Sequence, residues 1–107
     1  MTESDFNAAA DLALAAIARS LEESGADCDA AFKADGVLEL EFENGSRIIV
    51  NRHSAAQEIW VAAKSGGFHF RLDGARWLNT RDATELFAVL SHLVGEQCGH
   101  AVSLGGQ

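Results

Sequence analysis

Four short turn signals, Asp35-Gly36, Asn44-Gly45, Ser65-Gly66-Gly67 and Asp73-Gly74, punctuate segments in which apolar and polar residues alternate. A parallel crossover takes a dozen or more residues, so strands joined this tightly can only run antiparallel. The chain contains no Pro, which leaves every reversal to Gly, Asn and Asp. A meander of short strands is therefore the framework on which everything else must sit.

The alternation names the strand faces. Cys28, Ala30 and Phe32 alternate with Asp27, Asp29 and Ala31, and Leu38, Leu40 and Phe42 alternate with Val37, Glu39 and Glu41. Each strand is expected to have one core face, Cys28, Ala30 and Phe32 in the first and Leu38, Leu40 and Phe42 in the second, and one wet face. Asn44-Gly45 reads as a type I′ hairpin turn, after which Ile48 and Val50 continue the core face. Beyond Arg52-His53-Ser54 a fourth strand is expected through Gln57–Val61, a fifth through Phe68–Leu72 and a short sixth around Trp77-Leu78.

Helical spacing flanks this run. Phe6, Ala10, Ala13, Leu14, Ile17 and Leu21 form one stripe from Ser4 to about Ser24, with Thr2 or Ser4 to cap it and Gly25 to stop it. Leu86, Phe87, Leu90, Leu93 and Val94 form a second stripe, with Asp82 and Glu85 as a capping pair. Helices confined to the two ends cannot be crossovers. The predicted fold is a single α+β domain over residues 1–107, a two-layer sandwich with both terminal helices on one face of a five- to six-stranded antiparallel sheet. The other face is left to water, and the tail from Gly99 is expected to be loose.

Charge is distributed unevenly over this plan. Residues 1–43 hold eleven Asp and Glu against Arg19 and Lys33, whereas residues 44–107 hold five acids against six bases, so the whole net charge of −8 comes from the first part. Such a surface attracts cations or a basic partner and repels a phosphate backbone, which excludes nucleic acid. No apolar run approaches the ~20 residues that span a bilayer. The acidic start, Met-Thr-Glu-Ser-Asp-Phe, is unlike a basic leader, so a cytoplasmic protein without membrane contact is expected. Cys28 and Cys98 lack second ligands at metal-binding spacing and are expected as free thiols, Cys28 as a small buried hydrophobe.

The candidate site is a ridge of Glu22, Glu23, Asp27 and Asp29, with Asp11 three helical turns behind Glu22. Glu22 and Glu23 stand at a helix C-terminus, where the macrodipole disfavours anions. Crowded carboxylates there repel one another, and a bound cation or basic partner relieves the repulsion. Carboxylate oxygens suit hard cations without choosing among them. Trp60 opposes Ile59 and Val61 in parity and is expected on the open sheet face beside Asn51, a candidate contact anchor. His69 and Arg71 share that outward parity and read as solvated, as does the Glu85, His92 and Glu96 stripe of the last helix.

Three separated blocks, Phe42-Glu43-Asn44-Gly45-Ser46-Arg47-Ile48-Ile49-Val50-Asn51-Arg52, then Glu58-Ile59-Trp60-Val61-Ala62, then Gly66-Gly67-Phe68-His69-Phe70, resemble the bacterial frataxin family in order and spacing. The resemblance covers nearly the whole chain. It departs at Ser54-Ala55-Ala56, where the family usually carries a Pro, and at Glu58, where Gln is common. The acidic region is also thinner, with Arg19, Ala30 and Ala31 where relatives often place acids.

The resemblance implies a non-enzymatic protein of iron–sulfur cluster assembly, a regulator or iron donor. It would bind Fe²⁺ or Fe³⁺ weakly and dock the cysteine desulfurase, and possibly the cluster scaffold, as a monomer in the absence of metal. Asp11, Glu22, Glu23, Asp27 and Asp29 become the metal residues, and Glu22, Glu23, Asp27, Asp29, Asn51 and Trp60 the partner-binding ones. Two other classes stand beside it, a ferroxidase and an acidic inhibitor of a basic protein.

Overall fold

The computed structural model describes residues 1–105. Helix α1 (Glu3–Ser24) leads into six strands, β1 (Cys28–Ala34), β2 (Val37–Phe42), β3 (Arg47–His53), β4 (Glu58–Ala63), β5 (Gly66–Asp73) and β6 (Arg76–Asn79), and helix α2 (Leu86–Cys98) follows. The strands form one sheet in sequence order with every neighbouring pair antiparallel. This is the α+β sandwich that the turn spacing predicts.

Local chemistry sets the helix ends. Thr2 is the N-cap of α1, its hydroxyl accepting from the Asp5 amide at 3.0 Å while the Asp5 carboxylate reaches back toward the Thr2 amide. Gly25 closes the helix at φ 73°, a left-handed conformation that costs glycine nothing. In α2, Glu85 is itself the N-cap and accepts from the Phe87 and Ala88 amides, while Asp82 binds Thr84 instead. The expected Asp82–Glu85 pair is thus corrected by one turn of chain. Ala83 at φ 62° and the Asn79 amide–Thr84 carbonyl bond make a tight loop that delays the helix to Leu86.

The core lies between the helix stripes and the inward side chains of β2 to β6. Phe6, Leu14 and Ile17 of α1 and Leu86 and Leu90 of α2 meet Leu38, Leu40, Ile48, Val50, Ile59, Val61 and Phe70, all essentially inaccessible to water. Phe6 and Trp77 pack edge to face with centroids 5.8 Å apart.

Three further expectations are corrected. The Asn44 turn is a three-residue loop, not a two-residue type I′ turn. The Gly45 amide donates to the Phe42 carbonyl and the Phe42 amide to the Ser46 carbonyl, both at 2.9 Å, and only Gly45 has positive φ. Asn44 is kept out of the left-handed region because its carboxamide works elsewhere, accepting from Ser46 and donating to the Gln97 carbonyl.

Strand β1 has no buried residue, and Phe32 is 54% exposed despite its parity. It is an edge strand that α1 touches in part, so Cys28 packs against the core while Phe32 lies outside the cover and its alternation reflects strand geometry without burial.

The tail is docked. Leu104 is buried, the Leu104 amide donates to Ser91 Oγ and the Gly105 amide to Ser20 Oγ, both at 2.9 Å, so the segment after α2 stitches the helices together. Two helix hydroxyls, which no apolar stripe marks, make this possible. Gly95 matters here, since a Cβ would lie 3.3 Å from the His100 carbonyl oxygen of the returning chain.

The contrast between two phenylalanines of equal parity tests this picture. Phe70→Ala is expected to cost ~3–5 kcal/mol in chemical denaturation. Phe32→Ala is expected to stay within about 0.5 kcal/mol, as at an ordinary surface position.

Candidate functional site on the open sheet face and the acidic border

The face of the sheet away from the helices carries two adjacent cross-strand rows. One runs Val37, Asn51, Trp60, His69, and the neighbouring row includes His53 and Glu58. Trp60 lies between two imidazoles. His53 stacks on one side of the indole at a centroid distance of 3.9 Å and 15° between planes, and His69 on the other at 4.5 Å and 9°. The ring is therefore half-covered, with its faces occupied and its edge left to solvent.

Glu58 anchors this stack. Its side chain is buried, with Oε1 accepting from Trp60 Nε1 at 2.8 Å and Oε2 from Arg71 Nε at 2.9 Å, while His69 Nδ1 lies 3.5 Å from Oε1. Burial by itself pushes the carboxyl pKa up. The Trp60 and Arg71 hydrogen bonds, with the Arg71 and His69 charges, outweigh that and hold it below the ordinary value of 4.5. Beside the stack, Asn51 Oδ1 is buried with no hydrogen-bond partner among the described residues. Asn51 stands directly opposite Trp60, as its parity predicts.

His53, Glu58, His69 and Arg71 form a unit around Trp60 that the sequence pattern does not assemble. Strand parity predicts solvated His69 and Arg71 and assigns Glu58 no role. The available signal was that residues 58, 60, 69 and 71 share outward parity on adjacent strands, which brings an acid, an indole, an imidazole and a guanidinium to one patch.

The acidic border is divided. Glu22 and Glu23 are exposed on the last turn of α1, which carries no basic residue. Asp27 and Asp29 are exposed beyond Gly25 and line a notch with Glu41 and Glu43 of the β2 end. Asp29 is directly opposite Glu41 in the β1–β2 register. Asp27 also approaches His100, with Oδ2 3.8 Å from Nε2.

Asp11 stands apart, its carboxylate in an ion pair with Arg52. The Arg52 side chain lies close over Gly36, where a Cβ would come within 2.6 Å of Arg52 Cγ, so the glycine gives the arginine its route to α1. Among the described residues, no group of three or more His, Cys, Asp and Glu is gathered closely enough to hold a metal ion. The ridge is a field of separate carboxylates.

Comparison with known proteins falls on this geometry. The model of the frataxin-like domain matches residues 1–100. Two curated relatives named iron-sulfur cluster assembly protein CyaY are 56% identical over 104 residues in Dechloromonas aromatica, covering 97% of this chain and 99% of that protein, and 53% identical over 108 residues in Herminiimonas arsenicoxydans, covering 97% and 96%. The solved frataxin from Psychromonas ingrahamii superposes with a TM-score of 0.89 at 32% identity, over 96% of this chain and 97% of that one. Trimeric yeast frataxin, solved complexed with ferrous iron, gives 0.72 at 27% identity over 85% and 86%. Such a sandwich, with both helices on one sheet face, is a frataxin fold. The chain belongs to the bacterial frataxin, or CyaY, family.

Because the Glu58 carboxyl is held below its usual value, its stabilising contribution is fully present above about pH 4.5 and lost as pH falls through the folded-state value. Glu58→Gln is expected to cost ~1–3 kcal/mol at neutral pH by leaving one of two donors poorly matched. That deficit against the wild type is expected to shrink below about pH 4.5, as read by Trp fluorescence during urea unfolding at stepped pH.

Proposed function

We propose that this protein is a non-enzymatic component of iron–sulfur cluster assembly that binds iron weakly and docks the cysteine desulfurase, acting as a regulator or iron donor. The observation that carries the reading is the pair of acidic groups at the α1–β1 border, exposed and, apart from the Asp27–His100 contact at 3.8 Å, set against the helix dipole and against one another. Glu22 and Glu23 oppose the helix dipole, and Asp29 faces Glu41 across the strands, a repulsion that Arg47, 3.8 Å from Glu41, offsets only in part. A hard cation, or a basic surface of a partner, lowers it.

The separation of these carboxylates suits loose, mostly electrostatic capture of Fe²⁺ or Fe³⁺ as cargo, released readily to an acceptor. Glu22, Glu23, Asp27 and Asp29 supply the ligands in this reading. Asp11, engaged by Arg52, contributes to the field and less to direct ligation. The curated relatives named for cluster assembly, and the yeast frataxin solved with ferrous iron, support the assignment of both cargo and process.

Docking uses two surfaces with different physics. The acidic border steers a basic partner over long range and is screened by salt. On the open face the Trp60 edge, fixed by the His53 and His69 stack, supplies a preorganised aromatic contact, with Asn51 directly opposite it in the β3–β4 register. The cluster scaffold is a second candidate for that face.

Replacing Glu22, Glu23, Asp27 and Asp29 together by Lys is expected to weaken desulfurase binding by roughly tenfold or more at low salt, with the difference narrowing as salt is added. Isothermal titration against purified desulfurase measures it, and amide NMR with Fe²⁺ follows the same residues. Unchanged affinity of the charge-reversed protein at low salt would overturn the docking reading.

A further inference from the structure

Two thiols seventy residues apart in the chain lie at one end of the molecule. Cys28 opens β1 opposite Phe42, on the helix-facing side of the sheet, and Phe42 closes β2 just before the loop whose Asn44 Nδ2 donates to the Gln97 carbonyl at 3.0 Å. Cys98 is the next residue and the last of α2. The chain closes the same circuit from the other direction. Asp27, which precedes Cys28, lies 3.8 Å from His100, and Cys98 Sγ lies 3.5 Å from the His100 carbonyl oxygen.

The neighbours of each cysteine are thus in contact with the neighbours of the other on both sides. Both cysteines are free, half-buried and packed against the same core. The electrostatics agree, since after burial the Cys98 thiol is the largest influence raising the Cys28 pKa, ahead of Asp29 and Asp27.

We propose that Cys28 and Cys98 form a reversible intramolecular disulfide that ties the last turn of α2 to the start of β1, with a small-molecule disulfide such as oxidised glutathione as the oxidant. One cysteine thiolate attacks the oxidant, forms a mixed disulfide and expels one thiol. The second cysteine thiolate then attacks the protein sulfur of that mixed disulfide and expels the other. Two protein thiols are oxidised to one disulfide, the oxidant is reduced to two thiols, and two electrons and two protons pass between them.

The thiolate is the attacking species, so the reaction accelerates as pH rises. Cys28 sits between Asp27 and Asp29 on the rim of the acidic notch. The bond would therefore clamp that notch to the C-terminal segment and make the border sensitive to thiol redox state. This inference does not depend on iron or on the desulfurase.

The test is incubation of the native, full chain with oxidised glutathione at mildly alkaline pH, followed by acid quenching and mass spectrometry before and after unreduced proteolysis. The expected result is loss of two hydrogens, a linked peptide pair containing Cys28 and Cys98, and a melting temperature that rises and returns with dithiothreitol. Oxidised Cys98→Ser is expected to carry glutathione on Cys28 instead. Separate glutathione adducts on both cysteines of the wild type, linkage between two molecules, or a link that forms only in urea would each overturn the proposal. The wild-type peptide map decides the matter even if the Ser variant folds poorly.

Discussion

The covering of one sheet face by both helices is the constraint on which the molecule depends. Strands joined only by tight turns give a sheet with two unlike faces, and helices at the chain ends have only one of them to cover. Burial of Leu38, Leu40, Ile48, Val50, Ile59, Val61 and Phe70 under the helix stripes supplies the stabilising area. The opposite face must then solve its own problem, since a half-buried sheet surface still needs order without a second layer over it.

On that open face, order comes from polar contacts that lock apolar surface in place. Glu58 is the hinge of the arrangement, because one carboxylate holds both the Trp60 indole and the Arg71 guanidinium. Stacking by His53 and His69 removes the remaining freedom of the ring. A tryptophan fixed in this way can meet a partner without the entropy cost of being ordered on binding. The acidic border works by a different principle. Its charges stand exposed where the fold gains little from them, against a helix dipole and opposite one another across the strands.

The legibility of these two sites differs for a physical reason. Parity within a strand placed Asn51 and Trp60 side by side, because alternation is a property of the backbone. Parity could not show that Glu58 is buried or that two histidines enclose the indole, since both depend on strand register and side-chain reach across three strands. The same limit explains Phe32, whose core-side parity is real but lies beyond the cover of the helices. It explains the tail as well, where Ser20 and Ser91 capture backbone amides that no periodicity marks.

Hydrophobic period, turn chemistry and charge counting, all local properties, by themselves determined the α+β sandwich, the order of its elements, the face buried by each helix and the anionic first part of the chain. Tertiary structure alone decided which acids are neighbours, that Asp11 belongs to Arg52, that Glu58 carries the open-face cluster and that Cys28 and Cys98 share one end of the molecule. Those outcomes follow from long-range packing, which brings together residues whose separation along the chain carries no information about their distance in space.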